Sequence, residues 1–227
     1  MNHHMKTSYL VAFAFLIACA GCKTAPKTDY TAFVEHMPKS ILVLPPINES
    51  ANVHASNAFL STITMPLAER GYYIFPIAVV DQMMKENGVP TPPDMHQVSL
   101  EKLDEVFGAD AVLYISINEW VTQYVVLDSS NRVTLSYRLV DVDSGALLWK
   151  WQQTFVHSSS AGQSSLIGMA VAAAVHAAVS TSGEQERNVA IQANLAAFFN
   201  PNHGLLSGHR HPNFEKDQAR VLAKDSE

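Results

Sequence analysis

The sequence predicts an α/β fold, a mixed sheet with an antiparallel meander in its second half and helices packed against it. Three observations carry that prediction. In the first half, short apolar runs stopped by proline or glycine alternate with helical patterns, the order expected of strands and helices that share layers. After Gly108 the spacing of apolar residues switches from near four to two. Finally, two well-patterned strands flank Asp141-Val142-Asp143-Ser144-Gly145, whose composition is that of a tight turn.

Ser40-Ile41-Leu42-Val43-Leu44, ended by Pro45-Pro46, reads as a buried strand. Residues 51–69 follow as a helix with Ala55, Phe59, Ile63 and Leu67 on one face; Pro66 is expected to kink or restart it. Gly71 ends that helix, and Tyr72-Tyr73-Ile74-Phe75 is a second short strand. Val79 to Asn87 is helical up to Gly88, 89–98 is a proline-rich loop, and Ser99 caps a helix that stops at Gly108.

Then the period becomes two. Leu113, Ile115 and Ile117 share one face, as do Val133, Leu135, Tyr137 and Leu139, and Leu147, Trp149, Trp151 and Phe155. One buried face and one polar face make this an antiparallel meander. Two helices close the domain, an Ala-rich one over 163–181 and another over 184–199. A single α/β domain thus spans 40–200, and 201–227 reads as a polar, mobile tail, since eight of its residues are charged.

Composition narrows the function. The chain has 227 residues, 48% hydrophobic and 16% charged, which excludes a wholly disordered protein. With 15 basic against 21 acidic residues the net charge is -6, against the basic patch of a nucleic-acid binder. Two cysteines cannot build a disulfide framework.

The N-terminus is an address. Lys6 precedes an apolar run from Tyr9 to Ala20, too short for a permanent span and of the length of a secretory signal. Ala20-Gly21-Cys22 resembles the lipobox of bacterial lipoproteins, in which the cysteine is acylated and becomes the new N-terminus. Leu16-Ile17-Ala18-Cys19 fits the same pattern. Cys22 is favoured because cleavage there keeps the apolar run whole. The division is then a signal peptide over 1–21 and a polar tether over 22–39, the latter with Pro26 and Pro38. Several acyl chains would make a stable anchor. Lys23, where aspartate would retain a lipoprotein at the inner membrane, points by that sorting rule to the outer membrane, with the domain facing the periplasm.

Four blocks carry a family resemblance. They are Ile41 to Ser50, Pro66 to Tyr73, Phe107 to Ile115 and Leu139 to Trp149, with Gly204-Leu205-Leu206-Ser207-Gly208 beyond them. Together they resemble a family of uncharacterised bacterial outer-membrane lipoproteins, similar in fold to the N-terminal domain of TolB and more distantly to CsgG-type secretion lipoproteins. The resemblance covers about residues 38–208. It implies an envelope protein that works by contact in secretion, transport or assembly, with partners that include a CsgG-like lipoprotein.

Candidate sites follow from residue chemistry. The polar loop at a strand end, with Asn48, Glu49, Asn52 and His54, is the candidate partner contact. The Ala-rich stretch is about sixteen residues, short for a span of about twenty, and contains His176. Its small residues permit close helix approach, so Gly168, Ala173 and His176 are the candidate contacts of a homo-oligomer. His203, His209 and His211 are weak metal candidates, since no carboxylate or thiolate stands at ligand spacing. No Gly-x-Ser-x-Gly, phosphate loop or dinucleotide fingerprint occurs, so no catalytic residue and no cofactor is expected. The expected function is that of a non-enzymatic accessory protein. The alternatives are a periplasmic small-ligand-binding module and, at lower weight, a metal-dependent hydrolase.

Overall fold

The computed structural model describes residues 28–125, 128–158 and 185–224. Its elements in chain order are α1 (Thr31–His36), β1 (Ser40–Val43), β2 (Ile47–Asn48), α2 (Ala55–Glu69), β3 (Tyr73–Ile74), α3 (Ile77–Glu86), α4 (Pro92–Met95) and α5 (Leu100–Phe107), followed by β4 (Ala111–Val125), β5 (Asp128–Asp141), β6 (Leu147–Ser158), α6 (Gln185–Phe198) and α7 (Phe214–Lys224). The strands form one mixed sheet in the order β3-β1-β4-β5-β6, with β2 also on β4. β1 pairs parallel with β3 and β4, whereas β4, β5 and β6 are the antiparallel meander.

Each face of the sheet is covered differently. On one face Ile41, Val43, Leu113, Ile115, Leu135, Tyr137, Leu139 and Trp149 pack with Phe59, Ile63 and Leu67 of α2 and with Val189, Ala193 and Phe198 of α6. On the other, Leu42, Leu44 and Val112 meet Val80 and Met84 of α3, Met95 of α4 and Leu103 of α5. Because β1 is buried on both sides, its sequence is a continuous apolar run and not an alternating one.

Local chemistry explains the element ends. Ser99 caps α5 by accepting the Lys102 N–H at 3.3 Å, and Gly108 ends that helix in the left-handed conformation. Thr91 caps α4 in the stretch expected to be a plain loop, with proline at its first turn. α2 runs through Pro66 without interruption. Its ring sits in the last turn, where only one intrahelical bond is lost and the burial of Ile63 and Leu67 on either side holds the helix.

Two bulges break the strict period of two. Between Ile117 and Glu119 the register of β4 on β5 shifts by the extra residue Asn118, and this brings Trp120 onto the buried face. A second shift lies where Leu139 faces Trp149 and Val140 faces Leu147. There Leu148 is buried beside Trp149, whereas Leu147, expected on the tryptophan face, is 42% exposed.

Two boundaries need correction. The polar tether does not extend to residue 39, since α1 lies inside it and Phe33 is 1% exposed in the main core. The tail is not a mobile appendage over residues 201 to 224 either. Leu205, Leu206 and Ser207 are buried, and α7 places Val221 in the same core. Residues 1–21 with Cys19, the tether from Cys22 to residue 27, and the Ala-rich stretch with Gly168, Ala173 and His176 lie outside the described residues.

Candidate contact surface

The loop after β2 is tied together by its own side chains. Asn48 donates through Nδ2 to the Asn52 carbonyl at 2.8 Å, while its Oδ1 accepts from the Ser50 N–H and hydroxyl at 3.0 and 2.7 Å. Asn52 Oδ1 accepts the His54 N–H at 2.9 Å. These local bonds replace a backbone ladder, as asparagine and serine commonly do in turns. Val53, at the tip, is 77% exposed.

From this loop a hydrogen-bonded row crosses the sheet. Glu49 accepts from Asn118 Nδ2 at 3.0 Å, and the Asn118 Oδ1 accepts from the Ser136 hydroxyl at 2.6 Å. Beside it Thr134 donates to Glu119 at 3.2 Å and lies 3.0 Å from the Thr154 hydroxyl. The row follows from the bulge, which leaves Asn118 and Glu119 adjacent, beyond the part of this face that packs against α3, α4 and α5. Sequence reasoning found Asn48, Glu49, Asn52 and His54, and the structure brings them together at one end of this polar face. His54 contributes its backbone to the loop network.

The same face carries two cations. Arg138 of β5 stands directly opposite Lys150 of β6, and both are exposed. The Arg138 guanidinium lies 5.7 Å from the centre of the Tyr114 ring. Burial raises the Tyr114 phenol above its ordinary pKa, with Arg138 opposing that shift. His96 meets the same ring edge-on at 5.3 Å and bonds the Pro45 carbonyl through Nε2 at 2.9 Å. Its pKa is lowered, first by burial and less by Arg138.

Around the edge strand β6 runs a groove of about 790 Å³. Thr28, Asp29, Ala32, Lys150, Trp151 and His203 are among the residues that line it. The His203 ring stacks on Trp151 with centres 4.9 Å apart and planes at 20°. Its Nδ1 is 2.9 Å from the Thr28 hydroxyl, and its carbonyl accepts the Trp149 indole N–H at 2.8 Å.

The tail histidines are therefore not brought into one cluster. His203 is committed to Thr28 and Trp151, His211 Nδ1 accepts the Asn213 N–H at 3.0 Å, and His209 is exposed. Among the described residues no group of three His, Cys, Asp or Glu side chains converges as a metal site. Sequence reasoning missed the Arg138–Lys150 pair and the Trp151–His203 stack. Period-two patterning could place Arg138 and Lys150 on the polar face, but only the register makes them neighbours.

Comparison with known proteins agrees with this architecture. Residues 28–210 match the family model described as "Putative lipoprotein GNA1162-like". A relative from Neisseria meningitidis serogroup B, described as "Putative lipoprotein NMB1124/NMB1162", is 38% identical over 215 residues, which cover 93% of this chain and 98% of the relative. The crystal structure of lipoprotein GNA1162 from Neisseria meningitidis superposes with a TM-score of 0.53 at 44% identity, covering 62% of this chain and 97% of that one. The PelC dodecamer from Paraburkholderia phytofirmans matches with a TM-score of 0.39 at 19% identity, over 55% of this chain and 75% of that one.

Proposed function

This chain belongs to the GNA1162-like lipoprotein family, and from that membership we propose that it is a lipid-anchored accessory protein of the outer membrane. Its domain faces the periplasm and acts by protein contact, without enzymatic activity, in a secretion, transport or assembly system. The observation that carries this reading is the polar sheet face. It is half-exposed, and its side chains are already ordered by a row of hydrogen bonds from Glu49 through Asn118 to Ser136. A pre-ordered surface loses little side-chain freedom on binding, which favours contact with a partner.

The anchor is Cys22, with Lys23 as the outer-membrane sorting residue. Cells given labelled palmitate should acylate the wild-type chain and the Cys19→Ala variant, and Cys22→Ala should remain an unlabelled precursor. Label that persists in Cys22→Ala and disappears in Cys19→Ala moves the anchor by three residues. For the contact function, a photo-crosslinking residue in place of Asn52 should trap a defined envelope partner, and the same probe at exposed Glu86 of α3 should not. Equal, diffuse products from both positions would refute the contact face.

A further inference from the structure

We propose that the outer edge of β6 receives an extended segment of a partner protein as an added strand, with acidic and apolar residues alternating along it. The inference rests on the contact function proposed above and names the chemistry of the partner. β6 is the last strand of the sheet, and from Leu148 to Gln152 its outer side has no backbone partner among the described residues. Such an edge is a template for a further strand, because every second residue directs its N–H and C=O outward. The groove of about 790 Å³ lies along this edge, with Thr28, Asp29 and Ala32 among its lining. The guest would lie between β6 and those residues, and the Asp29 carboxylate is taken up by the Thr31 N–H and hydroxyl.

The two sides of β6 then specify the sequence of the guest. Side chains alternate between faces, so a guest residue beside Lys150 projects to the polar face and its neighbours project toward Trp149 and Trp151. On the polar face the guest meets Lys150 and, one strand further in, Arg138. Like charges directly opposite each other across a ladder repel, and neither cation forms an ion pair among the described residues. A carboxylate placed there would relieve the repulsion. On the opposite face the Trp151–His203 stack offers a flat aromatic surface that suits an apolar side chain. A lone lysine on an edge strand guards against indiscriminate pairing. With Arg138 beside it the edge becomes selective, repelling basic segments and admitting acidic ones.

The test uses the full-length lipoprotein in detergent micelles and a fluorescein-labelled peptide of three Val-Glu repeats flanked by glycine. Fluorescence anisotropy should report saturable binding. The Val-Lys counterpart should bind at least about tenfold more weakly, and in the Arg138→Glu/Lys150→Glu variant the preference should reverse. Methylating alternate backbone nitrogens of the Val-Glu peptide should abolish binding, since an added strand needs those donors. Thermal unfolding checks that the double variant is folded, and exposed Lys150→Gln serves as the milder substitution if it is not. No binding, or equal binding of the two peptides, overturns the proposal. Unchanged affinity of the methylated peptide shows a surface charge contact in place of strand addition and also overturns it. A dimer that the peptide dissociates in sedimentation would assign the edge to a second copy of this chain, against the proposal. Should the Asn52 cross-link persist while the peptide fails, only this inference falls and the contact function stands.

Discussion

Asn194 is a buried polar residue that ties the core together. It is 0% exposed, on α6, and its amide joins three elements. Nδ2 donates to the Thr62 hydroxyl of α2 at 3.0 Å, and Oδ1 accepts from the Tyr137 hydroxyl of β5 at 3.1 Å. Burial raises the Tyr137 pKa well above its ordinary value, so the phenol stays protonated and donates. Asn194→Leu removes the acceptor and leaves that hydroxyl buried and unpaired, which costs about 1–3 kcal/mol in urea unfolding. Combined with Tyr137→Phe the loss should be smaller than the sum of the two single losses. His96 bears on stability in a different way. Its folded pKa lies below the ordinary value of about 6.5 because burial disfavours the imidazolium. The unfolded chain therefore binds this proton more readily, and the stability His96 contributes is full above about pH 6.5 and lost as pH falls toward its folded pKa. In His96→Gln the decline of stability between pH 7 and 5 should be shallower than in wild type. An unchanged slope would assign the decline to other groups.

At the scale of elements the C-terminal segment is held by a backbone crossing. The Gly208 N–H donates to the Arg70 carbonyl at 2.7 Å, and a side chain on Gly71 would meet the His211 nitrogen at 2.5 Å and the Gly208 oxygen at 2.9 Å. Gly71 also has φ +88°, so no other residue is easily accommodated there. Arg70 reinforces the crossing. Its Nε and Nη2 donate to the Phe198 carbonyl at 3.0 and 2.8 Å, which satisfies the C-terminal end of α6. Burial lowers the Arg70 pKa, and the charge of Asp217 opposes that shift. Asp217 accepts the Ser207 hydroxyl at 2.6 Å and so ties α7 to the same point. Truncation after Gly208 removes the burial of Val221 and this bond, so the melting temperature should fall by about 4–8 °C. A truncated domain that melts with the wild type would show that α7 contributes nothing to the fold. The sequence conceals this docking because its apolar residues are few and widely spaced. What holds the segment is a meeting of two glycine backbones, 137 positions apart along the chain.

For the whole molecule, the sheet and most of its helices were legible in the sequence because burial there leaves a period. Ala55, Phe59, Ile63 and Leu67 recur at four on α2, and Val133, Leu135, Tyr137 and Leu139 at two on β5, and all are buried as expected. The bulges were not legible, since an extra residue shifts the period only relative to a partner strand. Thus Leu147 was read as buried and is half-exposed, and Trp120 was not recognised as core. The polar loop from Asn48 to His54 was legible from composition alone. Its connection to Ser136 was not, because the bulge at Asn118 makes it. The Arg138–Lys150 pair belongs to the same class of features that only register creates.

The bond between Thr28 and His203 also fixes an altitude. Thr28 lines the groove beside β6, and six peptide links separate it from Cys22. A fully extended chain covers at most about 3.6 Å per residue, so with Cys22 acylated the groove stands no more than about 22 Å above the lipid surface. A partner using that edge must then offer its segment close to the bilayer. Lengthening the leash would dilute that encounter without altering a single contact in the groove.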